Sequence, residues 1–451
     1  MTRSREAESA SIATAPAVEA EPGRATYLVA GNLALTAVAI AWLALLALVG
    51  GHRIFVTHDS LISYAHAWWI DRQLWHGYGI PWRMPVLGHG QALTYPYGML
   101  PWTAAGVLWP LAGEYAVTGV LVAGAVGLIA AIFWAFPEAR QPWWAVLVLV
   151  NPPLIAALLS GQVPFMWACA LLTLGIGCWR RGHWWWAVVL VGLAQLCHAA
   201  VILPIAAVMV LLRLRWEPHR GQLITGYLLS LCLAAPGVVA VLQSPVFEES
   251  SAQTKLVEFV GTVLVRALVL APAVAAAWPI RIHPRVLPAL AGVVLSLNVA
   301  VAPLDSGYAW GGLIRTPDRT LLNFTATSEF RPDATYRVVG ALDGKVGMYQ
   351  LIRHGARLDS EFFPESIYFG NFGSTRAYSD FLARRHVDYV LIFSDLRDRH
   401  TTNEGPLLGA MAAAGDRCTV TAVGVRLVAH HAGWDDYAIN RSCRDSGATA
   451  W

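Results

Sequence analysis

Long apolar runs separated by short polar connectors fill the first two-thirds of the chain. A polar stretch rich in Ala, Glu and Ser covers residues 1–26 and reads as a disordered cytoplasmic tail. The run that follows, Tyr27–Gly50, is long enough to cross a bilayer at about 1.5 Å per residue. Its length and its distance from the N-terminus suit a retained helix better than a cleaved signal peptide. Further runs with few or no charges occupy residues 115–136, 143–160, 163–179, 184–197, 199–212, 222–243, 257–279 and 286–303. With the first they predict about nine transmembrane helices. The pair over 184–212 has an alternative reading as one longer helix that Pro204 kinks. Leu100–Leu111 is apolar but short, follows Tyr95, Pro96 and Tyr97, and reads as re-entrant or interfacial.

From about residue 304 the pattern changes. Charged residues become frequent and the runs shorten. Tyr336–Ala341, Val387–Phe393 and Thr419–Val428 have strand character, while Tyr378–His386 and Leu407–Ala414 have helical character. Alternation of this kind predicts a small α/β domain over 304–451. The expected architecture is a polytopic α-helical membrane protein with a C-terminal extracytoplasmic α/β domain. Residues 27–303 form the membrane part, which includes a long exported loop over 51–97.

Composition agrees with this class. Hydrophobic residues make up 56% of the 451 and charged residues 14%, with mean hydropathy +0.49; soluble domains carry about 25% charged residues. A net charge of +3 gives no footprint for nucleic acid. The position of the charges sets orientation. Arg140, then Arg180 and Arg181, then Arg213, Arg215 and Arg220, then Arg281 and Arg285 fall in alternate short loops, and the opposite short loops hold only Lys255. Positive residues stay inside. The expectation is therefore a multi-pass protein of the cytoplasmic (inner) membrane, with its N-terminus inside and both the long loop and the C-terminal region outside.

The exported loop concentrates the candidate chemistry. It contains two acids, Asp59 and Asp71, with five histidines (His52, His58, His66, His76, His89) and four tryptophans (Trp68, Trp69, Trp75, Trp82). Ser60–Trp75 has helical periodicity, so Asp59 can serve as its N-cap. It can equally act as a general base toward an acceptor hydroxyl; the two roles are compatible. Asp71 reads as a solvated residue or a partner of Arg72 or Arg53. The histidines lack compact ligand spacing, and no metal is expected. The tryptophans suit an interfacial belt, with one or two left for stacking on sugar. Four cysteines (Cys169, Cys178, Cys197, Cys232) fall in apolar helices. Cys418 and Cys443 are the two in the exported region, where a disulfide is permitted.

The succession Thr57-His58-Asp59-Ser60, Trp69 to Gly77, Ile80-Pro81-Trp82, Gly88-His89-Gly90 and Tyr95-Pro96-Tyr97 resembles the first exported loop of the membrane-embedded GT-C glycosyltransferases. The likeness extends to bacterial oligosaccharyltransferase-like and mannosyltransferase-like members, and Asn151-Pro152-Pro153 followed by Gly161-Gln162 is similar to a pattern in their middle helices. The resemblance implies a polyprenyl-phosphate-linked sugar as donor, a cell-envelope glycan or glycolipid as acceptor, and Asp59 as the base. His58, Trp68, Trp69 and Tyr95 are candidate substrate contacts; Gln162, at an outer turn, either hydrogen-bonds a sugar or caps a helix, and His198, at the outer end of two spans, is either a satisfied polar core residue or a further contact. No Asp-X-Asp pair follows in the loop, a departure that points to a metal-independent reaction or to no reaction. No cofactor is implied.

Arg266 lies within an otherwise apolar run, eight residues after Glu258. Such an arginine faces a cavity or a partner. An internal ion pair is one reading; binding the donor phosphate, with Arg83 as a loop alternative, is the other. Two further function classes stay open. A lipid or polysaccharide transporter or flippase would show polar residues at mid-depth in several helices and repeated halves. A catalytically silent envelope scaffold would tolerate loss of Asp59.

Overall fold

In a computed structural model of the chain, the described residues are 60–93, 97–149, 151–242, 268–277, 293, 330–340, 342–359, 372–393, 403–414, 423–430 and 434–441. The predicted tail and first span, Asp59, His58, Tyr95, Arg266, Cys418, Cys443 and nearly all of 286–303 lie outside them.

Helix α1 (Ser60–Leu74) is buried on every face from Ser60 to Trp68. It stops at Gly77, whose φ of 84° lets the Gly77 and Tyr78 amides bond back to the Leu74 and Gln73 carbonyls. A small antiparallel ribbon follows, β1 (Arg83–Met84) with β2 (Gln91–Ala92). Then come α2 (Leu100–Ala112) and α3 (Tyr115–Ala135). The apolar stretch after Pro101 is thus a full helix packed against α1 and α3.

A 3₁₀ turn (Pro137–Arg140) leads to α4 (Pro142–Leu149) and α5 (Pro152–Leu159). The single run expected over 143–160 is two short helices. Pro152 and Pro153 donate no amide, and the residue before a proline is pushed out of the α region. The freed position is used: the Asn151 amide donates to the Leu268 and Val269 carbonyls at 3.0 and 2.8 Å. It thereby anchors a distant 3₁₀ turn (Leu268–Leu270).

Between these lie α6 (Val163–Arg180), α7 (Trp184–Cys197), α8 (Ala199–Leu214) and α9 (Arg220–Leu242), and then α10 (Ala271–Ala277). The break in 184–212 falls at His198; Pro204 sits inside α8. Among the described residues, Tyr115–Ala135, Val163–Arg180 and Arg220–Val239 are long and apolar enough to cross a membrane. Trp184–Cys197 and Val201–Leu214 are apolar but shorter. Close approach depends on small residues: a Cβ on Gly177 would stand 2.3 Å from the Trp134 ring.

The residues after 330 build one five-stranded sheet in the order β4-β3-β5-β7-β6. Its strands are β3 (Thr335–Val339), β4 (Arg357–Leu358), β5 (Tyr389–Phe393), β6 (Gly424–His430) and β7 (Trp434–Asn440). β3 pairs in parallel with β4 and β5, and β7 pairs antiparallel with β5 and β6. The crossovers contain α11 (Leu342–Arg353) and α12 (Thr375–Arg384), and α13 (Glu404–Ala413) precedes β6. Sequence periodicity placed β3, α12, β5, α13 and β6 but not α11, β4 or β7. Two glycines lower the helix propensity of α11; Gly347 is nevertheless required there, because a Cβ would lie 2.5 Å from the Phe393 ring. One buried apolar cluster runs without interruption from Leu61 and Trp102 through Leu87 to Tyr349 and Val390, joining helices and sheet.

Candidate functional site

The buried half of α1 supports a column of rings and hydroxyls. His66 stacks on Trp102 with centroids 4.0 Å apart, and the Trp102 indole donates to Ser63 Oγ at 3.0 Å. Tyr97 lies 6.2 Å from Trp102 and 4.7 Å from His198, and His198 meets the edge of Phe165 at 6.2 Å. The column therefore links α1, the entry to α2, the α7–α8 break and the start of α6. Gly98 makes the crossing possible: a Cβ there would stand 1.7 Å from the Leu196 carbonyl oxygen.

His66 is fully buried. Its Nδ1 lies 2.7 Å from the Ile62 carbonyl, which can only accept, so Nδ1 carries the proton and Nε2 is a bare lone pair. That Nε2 has no hydrogen-bond partner among the described residues. Burial lowers the imidazole pKa to about 4, against a smaller upward pull from the Ile62 carbonyl. His66 is thus a neutral acceptor at pH 7, able to take a hydrogen bond without gaining charge.

The other predicted residues occupy varied positions. Trp68 is buried, with the Arg72 guanidinium 5.7 Å over its ring. Trp69 donates to the Arg83 carbonyl at 3.1 Å, and Arg83 Nη1 donates to the Gly90 carbonyl at 3.1 Å; these bonds hold the ribbon against α1. Gln162 is the N-cap residue of α6 with no side-chain cap bond. Asp71 is half-buried, and burial raises its carboxyl pKa, offset in part by His76. Trp75 and Trp82 are exposed. The geometry brings His198 into the column and leaves Gln162, Trp69 and Arg83 outside the ring contacts that define it. Among the described residues no three His, Cys, Asp or Glu side chains cluster to hold a metal.

The sheet closes over this site. Tyr64 on α1 packs on Tyr349 of α11 at 6.0 Å and shares a 3.1 Å hydrogen bond with Thr118. Glu114, between α2 and α3, is ion-paired with Arg353 and accepts from the Tyr349 hydroxyl at 3.4 Å. The Gly88 amide donates to the Leu358 carbonyl at 3.0 Å, and the Leu358 amide donates to the Val86 carbonyl at 2.8 Å. The loop after β1 is thereby bonded to the β4 edge, covering backbone groups that would otherwise be open. Farther inside the sheet, Arg337 binds Glu404 in a fork at 2.5 and 2.7 Å and Asp359 at 3.1 Å. Burial opposes the guanidinium charge, but Glu404 and Asp359 outweigh it and hold the pKa well above its usual value.

Sequence reasoning missed Ser63, Trp102, Glu114, Tyr349 and Arg353, and read His66 only as one of five loop histidines. The one available signal was Glu114, the sole acid between Asp71 and Glu138.

Neither a protein-family model nor a curated protein sequence matches the chain. Among solved structures, the chain is similar to the archaeal oligosaccharyltransferase AglB from Archaeoglobus fulgidus, in complex with an inhibitory peptide and a dolichol-phosphate. The identity is 12% and the TM-score 0.48, over 81% of this chain and 69% of that one.

Proposed function

We propose that the protein is a membrane-embedded glycosyltransferase that moves a sugar from a polyprenyl-phosphate donor to an envelope glycan or glycolipid on the exported side of the inner membrane. The observation that carries this reading is the polar and aromatic column on α1, the helix that begins directly after Asp59. Ser63 and His66 Nδ1 are satisfied within the protein, but the buried His66 Nε2 has no hydrogen-bond partner among the described residues. Burying a polar atom unpaired costs free energy, and a polar substrate would supply the partner. The GT-C-like motifs around Asp59 agree with this.

In the proposed reaction Asp59 takes the proton of an acceptor hydroxyl. The acceptor oxygen then bonds to the anomeric carbon, and the bond from that carbon to the donor phosphate oxygen breaks. The electron pair leaves with the lipid phosphate, stabilised by Arg266 or Arg83. One base without a second carboxylate beside it suits a single inverting step. His198 and the rings of the column would lie along the sugar path, with His58, Trp68, Trp69, Tyr95 and Gln162 as further contacts.

The test is transfer from a labelled polyprenyl-phosphate sugar in membranes carrying wild type or Asp59→Asn. Asn keeps the size and capping oxygen of Asp, so the variant is expected to fold and to lose transfer by about 10²–10⁴-fold. Transfer at the wild-type rate removes the base and favours a scaffold.

A further inference from the structure

Among the described residues, three connectors at the opposite end of the helices from His198 bring together cations that the proposed reaction does not use. α8 has 16 residues, so Arg215 stands about 24 Å along the helix from His198. At this end Arg180 is paired with Glu138 at 2.8 Å, and Arg213 with Glu217 at 2.9 Å. Glu217 is buried and also accepts from the Trp179 indole at 3.2 Å. Both local carboxylates are therefore committed. Among the described residues, Arg215 and Arg220 have no carboxylate within ion-pair distance. Arg220 Nη2 lies 3.4 Å from the Arg215 carbonyl, so its guanidinium folds back over the α8–α9 turn toward Arg215. Arg215 in turn lies 5.9 Å from the centroid of the exposed Trp216 ring.

The faces leading to these two arginines are apolar and uncovered. Along α8 the exposed positions Val208, Leu211, Leu212 and Arg215 follow the i, i+3, i+4, i+7 spacing of a single face. Along α9, Arg220, Ile224 and Leu228 do the same at every fourth residue. The Tyr227 hydroxyl donates to the Leu203 carbonyl at 3.1 Å and holds the two helices side by side. Each stripe is hydrocarbon for about two turns and ends in a guanidinium, both at the same level.

We propose that this turn is a binding site for an anionic phospholipid of the bilayer. The phosphodiester sits between Arg215 and Arg220, Trp216 packs beside the glycerol region, and the acyl chains lie along the Val208–Leu212 and Ile224–Leu228 stripes. Charge complementarity selects the headgroup: two unpaired guanidiniums favour a lipid with net negative charge over a zwitterionic one, whose own cation would face them. Arginine binds phosphate through a planar fork, and the exposed indole suits the interface. The site is independent of the proposed glycosyl transfer; it requires only that α9 lies in a bilayer.

The full chain, purified in detergent, is titrated with dioleoyl phosphatidylglycerol or dioleoyl phosphatidylcholine, reading Tm and the lipid retained in native mass spectra. Phosphatidylglycerol is expected to raise Tm and phosphatidylcholine to leave it in place. Arg215→Gln and Arg220→Gln are each expected to weaken phosphatidylglycerol binding about fivefold, and the double variant to abolish the retained lipid. Arg140→Gln, a nearby arginine outside the turn, is expected to bind as wild type. Equal loss in Arg140→Gln means a diffuse field and overturns the site. So does an equal Tm rise with phosphatidylcholine, or the same rise with inorganic phosphate alone. If the stripes instead seat a second copy of the chain, native spectra show a dimer that Leu211→Glu dissociates, and the lipid proposal falls.

Discussion

Glu114 and Arg353 are ion-paired although 239 positions separate them in the chain. One lies between α2 and α3, the other on the helix crossing over the sheet. The pair, together with Tyr64 against Tyr349 and the Leu358 amide on Val86, makes the sheet a wall of α1 rather than an appended body. Glu114→Gln is expected to lower stability by about 1–2 kcal/mol, since Glu114 is buried but Arg353 is about two-fifths exposed and screened. The direct check is hydrogen exchange: α1 amides should exchange faster in Glu114→Gln than in wild type. Exchange confined to the sheet would mean that the pair does not couple the two parts.

Gly98 allows the chain to pass directly over the α7–α8 break. Gly98→Ala puts a methyl 1.7 Å from the Leu196 carbonyl oxygen, where only backbone movement can relieve the contact. A loss of at least about 3 kcal/mol is expected, read as a fall in the unfolding midpoint. A variant with unchanged Tm would show that Tyr97 and His198 are not held together through this crossing.

His66 makes stability depend on pH. Its folded pKa of about 4 lies below the unfolded value of 6.5. Above pH 6.5 both states are neutral and the group contributes nothing. Between pH 6.5 and 4 the unfolded chain binds a proton that the folded one refuses, so stability falls as pH drops. Below pH 4 the loss levels off at about 3 kcal/mol. His66→Phe should flatten this part of the pH–stability curve relative to wild type. Parallel curves for the two proteins between pH 6.5 and 4 would rule the assignment out.

Arg337 neutralises Glu404 and Asp359 inside the sheet. Arg337→Met removes the guanidinium that forks onto buried Glu404 and reaches Asp359, and should cost about 3–5 kcal/mol. Adding Glu404→Gln should recover part of that loss, measured as non-additivity in a double-mutant cycle. Strict additivity would mean that the two residues act independently despite the fork between them.

Local chemistry accounts for what could be read without coordinates. Helix and strand positions follow from apolar spacing and turn residues, which act over a few neighbours. The α3, α6, α7 and α9 boundaries therefore agree with the apolar runs to within two residues, as does the division at His198. The strand at Tyr389–Phe393 was legible for the same reason. Where a local rule had to compete with packing, sequence reading failed. The run 143–160 is uncharged throughout, yet two prolines divide it and Asn151 turns the gap into a socket for a distant segment. α11 carries glycines that weaken a helix, and its reason to be helical is the Phe393 ring across the sheet. The column itself was invisible: Ser63, His66, Tyr97, Trp102, Phe165 and His198 come from four separate stretches, and no periodicity relates them. Which faces of α1 are buried, and that a sheet more than 200 residues later forms one of its walls, was decided by tertiary contact alone. The free energy of burying a side chain depends on what meets it in space, and a linear pattern does not contain that information.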